Sequence, residues 1–247
     1  MDGSGMVTQR LRPCPPDPLP DCLPVPMSEL PLSSSDLPAD PSAGSVPAEA
    51  TAPVRKRPKP GERRVQILQT LAAMLEQPGA ERITTAALAA RLEVSEAALY
   101  RHFASKAQMF EGLIEFIETS LFTLINQIAE REPSGSVQAA RTVAVLLQFA
   151  EKNRGMTRVM VGDALVFEHE RLQLRMNQFF DRIESQLRQS LRLAAEAQGS
   201  STPTVDAAST ASLLTSLCLG RLHRFARSGF KRSPTEHLDA TLRQLLL

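Results

Sequence analysis

Thr84, Ser95 and Ser105 are hydroxyl side chains, each standing directly before a run that reads as helix. A hydroxyl in that place accepts a hydrogen bond from a backbone N–H that the first helical turn leaves without a partner. Ile83 with Leu88, and Val94 with Leu99, bracket the first two starts as apolar staples, and Ser105 with Gln108 has the spacing of a capping box. The stretch ITTAALAARLEVSEAALYRHFASKAQMF, Ile83 to Phe110, therefore predicts a short helix, a turn, a second short helix, a turn and the start of a long helix. That is a helix-turn-helix, which offers its second short helix to the major groove of DNA.

The chemistry this implies is recognition of a polyanion, with no bond made or broken. Ser95, Glu96 and Ala97 form the N-terminal part of the second short helix, where base edges are met. They are small or acidic, so specificity leans on a serine, methyl contacts and DNA shape. Glu96 has an alternative role as a first-turn acid favouring the helix dipole. Thr84 and Thr85 start the first helix and can offer hydroxyl and backbone donors to phosphate. Tyr100, Arg101 and His102 are expected on the exposed side of the second helix, with Leu99 and Phe103 turned inward one helical turn apart.

Other chemistries find little support. His169 lies between Glu168 and Glu170, but no second histidine stands at ligand spacing, and the segment reads as the charged start of a helix. No catalytic residue, metal or cofactor is expected. Cys14, Cys22 and Cys218 form neither a disulfide framework nor a zinc spacing. With no secretory pattern and no apolar run long enough to span a bilayer, the cytosol is the expected compartment and no membrane partner is expected.

The elements that must position these residues are all helical, and the fold class expected is all-α, with about nine helices, no strand and no repeat. Helix 1 should start near Gly61 or Glu62 and stop at Pro78-Gly79. Helix 4 should run from Lys106 to about Glu130 as a connector whose apolar stripe is too wide for one neighbour. A fifth helix should reach Lys152 and stop at Asn153-Arg154-Gly155, and a short sixth should cover Met156 to Val161. The seventh should span Glu168 to Gln198, and the eighth about Val205 to Arg227. The ninth is expected to start at Ser233-Pro234-Thr235-Glu236, where an N-cap, a proline and a Glu coincide. The surplus apolar surface of helices 8 and 9 points to a two-fold dimer through a four-helix contact, the alternative being that they only cover helices 5 and 7.

Fourteen of the eighteen prolines fall in residues 1–60, which marks that head as unable to form a core and expected to be disordered. The net charge of +1 decides nothing, but its distribution does: Arg55, Lys56, Arg57, Lys59, Arg63 and Arg64 form a basic run just ahead of the helix-turn-helix. Such an arm can lie on phosphates, or it can be a solvated linker. Three regions follow: a proline-rich head at 1–60, a DNA-binding unit at 61–105 and a helical dimerisation and partner-binding unit at 106–247.

SEAALYRHFASK resembles the recognition helix and following turn of the TetR family of bacterial DNA-binding proteins. Taken with MFEGLIEFIE, with TRVMVGDALVFEHERLQLRMNQFFDRIESQLRQSLR and with FARSGFKRSPTEHLDA, the chain from about Gly61 onward is similar to the nucleoid occlusion branch of that family. The resemblance implies a dimer on palindromic chromosomal DNA that antagonises polymers of the tubulin-like division protein FtsZ. It also implies phosphate contacts at Tyr100, His102 and Lys106. The FtsZ-tail groove would lie on helices 4 and 5, where Phe116 is retained, Leu124 stands for an expected arginine, Gln148 for a glycine, and Lys152 keeps a positive charge. Glu93 occupies a turn position where the family usually has glycine. A ligand-responsive repressor is the alternative function. The inward positions of helices 5, 7 and 8 look densely apolar, with few polar groups to orient a ligand.

Overall fold

The computed structural model describes residues 61–77 and 82–246. Among these the elements are α1 (Glu62–Leu75), α2 (Thr85–Arg91), α3 (Glu96–Tyr100), α4 (Lys106–Arg131), α5 (Gly135–Lys152), α6 (Arg154–Met160), α7 (Glu170–Ala197), α8 (Pro203–Arg227) and α9 (Leu238–Leu246), with a 3-10 turn at Asp163–Leu165. The expected head, the basic run from Arg55 to Lys59, the Pro78-Gly79 stop, Cys14 and Cys22 lie outside the described residues.

The apolar stripes of the helices turn largely inward, although Leu213 of α8 is exposed. Leu71, Leu88, Leu99 and Phe103 join α1, α2 and α3, and the cluster continues without a break through Phe110 and Leu113 of α4 into Leu146, Phe179, Leu187, Leu214 and Cys218 of the body. Each such side chain, fully buried, contributes about 1.5–3 kcal/mol. α7 and α8, joined by a short loop, pack against each other as a helical hairpin, and α5 lies across them. The three-helix head is fastened by close backbone approach as well as by α4. A Cβ on Gly155 would sit 2.1 Å from the Ala72 carbonyl oxygen, so α6 and α1 meet where only glycine fits.

Several boundaries differ from the expected ones for local reasons. Asn153 alone breaks the chain, its Nδ2 donating to the Phe149 carbonyl at 2.9 Å, and α6 starts at once at Arg154. α7 starts at Glu170 because His169 is its N-cap, the ring Nδ1 accepting the Arg171 N–H at 3.2 Å. The capping box expected at Ser233 is not formed. The Ser233 hydroxyl accepts from the Thr235 N–H at 3.2 Å, and the Ser233 and Thr235 hydroxyls donate to the two Glu151 carboxylate oxygens, at 2.5 and 2.8 Å. Residues 234–237 form a turn docked on α5, and α9 begins only at Leu238.

Candidate nucleic-acid and partner interfaces

All three hydroxyl caps are made: Thr84 accepts from the Ala87 N–H at 3.1 Å, Ser95 from Ala98 at 3.3 Å and Ser105 from Gln108 at 3.2 Å. The return bond of the third differs from a simple box, since Gln108 Oε1 accepts from the Ala104 N–H, one residue ahead of the cap. The turn between α2 and α3 closes through Glu93 N–H to Ala90 O at 3.1 Å and Val94 N–H to Ala89 O at 3.0 Å. This Schellman closure requires a left-handed residue, and Glu93 supplies it at φ 53°. A non-glycine residue there costs about 1 kcal/mol relative to glycine.

Ser95, Glu96, Ala97, Tyr100, Arg101, His102 and Thr84 are all exposed on this unit, Tyr100 to 46%. α3 itself ends at Tyr100, with Arg101 as its C-cap and His102 in the following turn. The tertiary structure adds a bond that no local pattern signals. The Thr85 hydroxyl donates to Glu96 Oε2 at 2.6 Å, bracing α2 against α3. Glu96 is thus a bracing residue, and Thr85 keeps its backbone N–H, at the start of α2, as its free donor. Arg64 of the basic run folds back on the head, its guanidinium 4.3 Å over the Phe103 ring and donating to the His102 carbonyl at 3.3 Å. Arg63 donates to Gln66 within α1 at 2.8 Å.

Lys106, in the first turn of α4, forms an ion pair with Glu168 and lies 5.7 Å from the centre of the Phe110 ring. Glu168 belongs to the segment between the 3-10 turn and α7, so this pair ties the N-terminal end of α4 to the body. Two further rungs follow along the same helices: Arg171 Nε to Glu111 at 2.7 Å, and Arg175 to both Glu118 oxygens at 2.6 and 3.2 Å. The hydrogen bond to Glu118 and the surrounding carboxylates raise the Arg175 pKa above the ordinary arginine value, against the opposing effect of burial. Glu168 was read from the sequence only as a charged helix start, because nothing local links positions 106 and 168.

On the α4–α5 side, Phe116 and Leu124 lie two turns apart on α4, and Gln148 and Lys152 one turn apart on α5, so each pair shares a face. Phe116 and Leu124 are half-buried, and the Phe116 ring packs against Phe149 at 6.3 Å between centroids. Gln148 Oε1 is buried without a hydrogen-bond partner among the described residues, and Lys152 is exposed with no ion pair among them. The outward faces of α7 and α8 expose Leu193, Val205 and Leu213. α9, by contrast, turns Leu238 and Leu242 inward. Between α6, α7 and α8 opens a cavity of about 340 Å³ whose walls include Phe180, Asp181, Glu184, Thr215 and Leu219. The polar groups there exceed what the apolar inward stripes led one to expect.

Residues 67–113 match the family described as bacterial regulatory proteins, tetR family, and residues 135–246 match the tetracyclin repressor-like C-terminal domain of SlmA-like proteins. The nucleoid occlusion factor SlmA of Idiomarina loihiensis is 54% identical over 178 residues, covering 72% of this chain and 90% of that one. The SlmA of Photobacterium profundum is 53% identical over 182 residues, 73% of this chain and 92% of its own length. The chain belongs to the SlmA family of nucleoid occlusion factors, within the TetR class of DNA-binding regulators. Solved TetR-type structures share its fold at lower identity. The transcriptional regulator PfmR of Thermus thermophilus gives a TM-score of 0.59 at 22% identity, covering 74% of this chain and 95% of that one. The fatty acid degradation regulator FadR of Bacillus halodurans gives 0.61 at 14%, covering 76% and 96%. As an SlmA-family, TetR-class chain it binds DNA as a dimer. Among its described residues, no helix is long and apolar enough to cross a membrane.

Proposed function

We propose that this chain, bound as a dimer to palindromic chromosomal DNA, captures the C-terminal tail of FtsZ on its α4–α5 face and blocks ring assembly over the nucleoid. It acts in the cytoplasm, held on the chromosome by its helix-turn-helix unit. The observation that carries the reading is the α4–α5 face itself. Phe116 and Leu124 offer half-buried apolar footholds, the Gln148 carbonyl awaits a donor, and Lys152 supplies an uncommitted positive charge. An extended peptide has what this face lacks: backbone N–H groups, apolar side chains and a terminal carboxylate. Leu124 and Gln148 in place of an arginine and a glycine shift recognition from charge toward apolar contact and hydrogen bonding.

On DNA, Ser95 and Ala97 face the bases, while Thr84, Thr85, Tyr100, Arg101, His102 and Lys106 meet phosphates, helped by the orphan N–H groups at the starts of α2 and α4. Residues 61–105 act as the DNA-binding unit and 106–247 as the dimerisation and partner-binding unit, with 1–60 a separate head. The dimer forms through α7 and α8, whose exposed Leu193, Val205 and Leu213 need cover, rather than through the inward-turned α9. Sedimentation of FtsZ polymers with this protein, with and without a palindromic duplex, tests the reading. Loss of pelletable polymer only when duplex is present is expected. DNA-bound protein that neither binds FtsZ nor alters its polymers overturns it in favour of an ordinary repressor.

A further inference from the structure

We infer that Glu168 sets how much of the Lys106 charge is available to DNA, and so attenuates binding to all sequences alike. The inference rests on Lys106 meeting a phosphate, as proposed above. The Lys106 ammonium is paired with the Glu168 carboxylate, and the Glu168 side chain is only 8% exposed. Pulling the lysine away would leave a nearly buried carboxylate without its counter-charge, which is strongly unfavourable. An ammonium has three donors, so Lys106 can direct one at a phosphate while another stays on Glu168. In that arrangement the pair brings no net charge to the phosphate, and little counterion release results.

The geometry gives the residue a second consequence. Lys106 belongs to the first turn of α4, whereas Glu168 sits just ahead of α7, beside the exposed Val166 and Phe167. The phosphate contact is therefore shared between head and body, and a shift of residues 166–168 releases the lysine charge to DNA. The Arg171–Glu111 and Arg175–Glu118 pairs hold α4 against α7 independently, so neutralising Glu168 leaves that packing fastened.

The test is a set of anisotropy titrations of the full chain on a mixed-sequence duplex of about three helical turns, at several salt concentrations. Glu168→Gln should bind about 3- to 10-fold tighter near 0.1 M salt, with a log–log salt slope steeper by about 0.9. Lys106→Ala in the Glu168→Gln background should remove both gains. If Lys106→Ala alone weakens binding but Glu168→Gln binds equally or more weakly, Glu168 only holds the lysine in place and the inference fails while the phosphate contact stands. If neither change alters the slope, the contact itself is wrong and both fall. Glu118→Gln breaks the rung about 18 Å further along α4, beyond a Debye length of about 8–10 Å, and should bind like the unaltered chain. An equal gain there would trace the effect to loosened α4–α7 packing and overturn the inference.

Discussion

The Thr85 hydroxyl donates a 2.6 Å hydrogen bond to Glu96, so the two short helices of the DNA-binding unit are clamped across their turn as well as through their shared apolar core. Thr85→Val and Glu96→Gln, combined in a double-mutant cycle, should show a coupling of about 0.5–1 kcal/mol in urea unfolding at fixed protomer concentration. Strictly additive effects would mean that the clamp does not persist in solution.

Gly155 approaches the Ala72 carbonyl so closely that a Cβ cannot be accommodated in place. Gly155→Ala should therefore push α1 from α6 and cost about 1–3 kcal/mol, seen as a lowered Tm. Because the obstacle is backbone, trimming the side chain with Ala72→Gly should not restore the loss; recovery would place the clash elsewhere.

Glu93 holds a left-handed conformation that favours glycine. Glu93→Gly should stabilise the chain by up to about 1 kcal/mol in the folded state, partly offset by the greater freedom of glycine in the unfolded chain. Measured destabilisation would show that the interactions of Glu93 outweigh its backbone strain.

Lys152 is the uncommitted cation of the proposed peptide face. Lys152→Ala should weaken binding of an FtsZ tail peptide several-fold by calorimetry while DNA titrations stay unchanged, since α5 packs mainly on α4, α7 and α8. Phe116→Ala should weaken the peptide more, with circular dichroism confirming that the packing against Phe149 has not collapsed the fold. Unchanged peptide affinity in both variants would remove this face from the proposal.

Cys218 is fully buried on α8, and burial pushes its thiol up to about 12. The sign is that of an acid whose charged form is disfavoured, so the reactive thiolate is scarce at all ordinary pH. In a Cys14→Ser/Cys22→Ser variant, a thiol reagent at pH 8 should label the chain only after denaturant is added. Rapid labelling of the folded form would show that α8 opens locally.

The sequence by itself determined what local chemistry can specify. The hydroxyls of Thr84, Ser95 and Ser105 start α2, α3 and α4 because capping involves groups within three residues of one another. The apolar stripes, from Leu71 to Cys218, follow from helical periodicity and the need to remove that surface from water. The left-handed backbone at Glu93 was signalled only through the resemblance, by the glycine the family usually carries at that turn position. At Ser233 the local logic misplaced the helix start: the hydroxyl does accept a backbone N–H, from Thr235, but it and Thr235 are also anchored on Glu151, far away in the chain, and residues 234–237 stay a turn.

Only the tertiary structure decided which groups distant in the chain meet one another. Lys106 pairs with Glu168 across 62 positions, Arg64 folds over Phe103, and Gly155 abuts Ala72. None of these has a sequence signature, because an ion pair, a stacked guanidinium or a backbone contact depends on where packed helices place their surfaces, and that is settled only when the whole core is assembled.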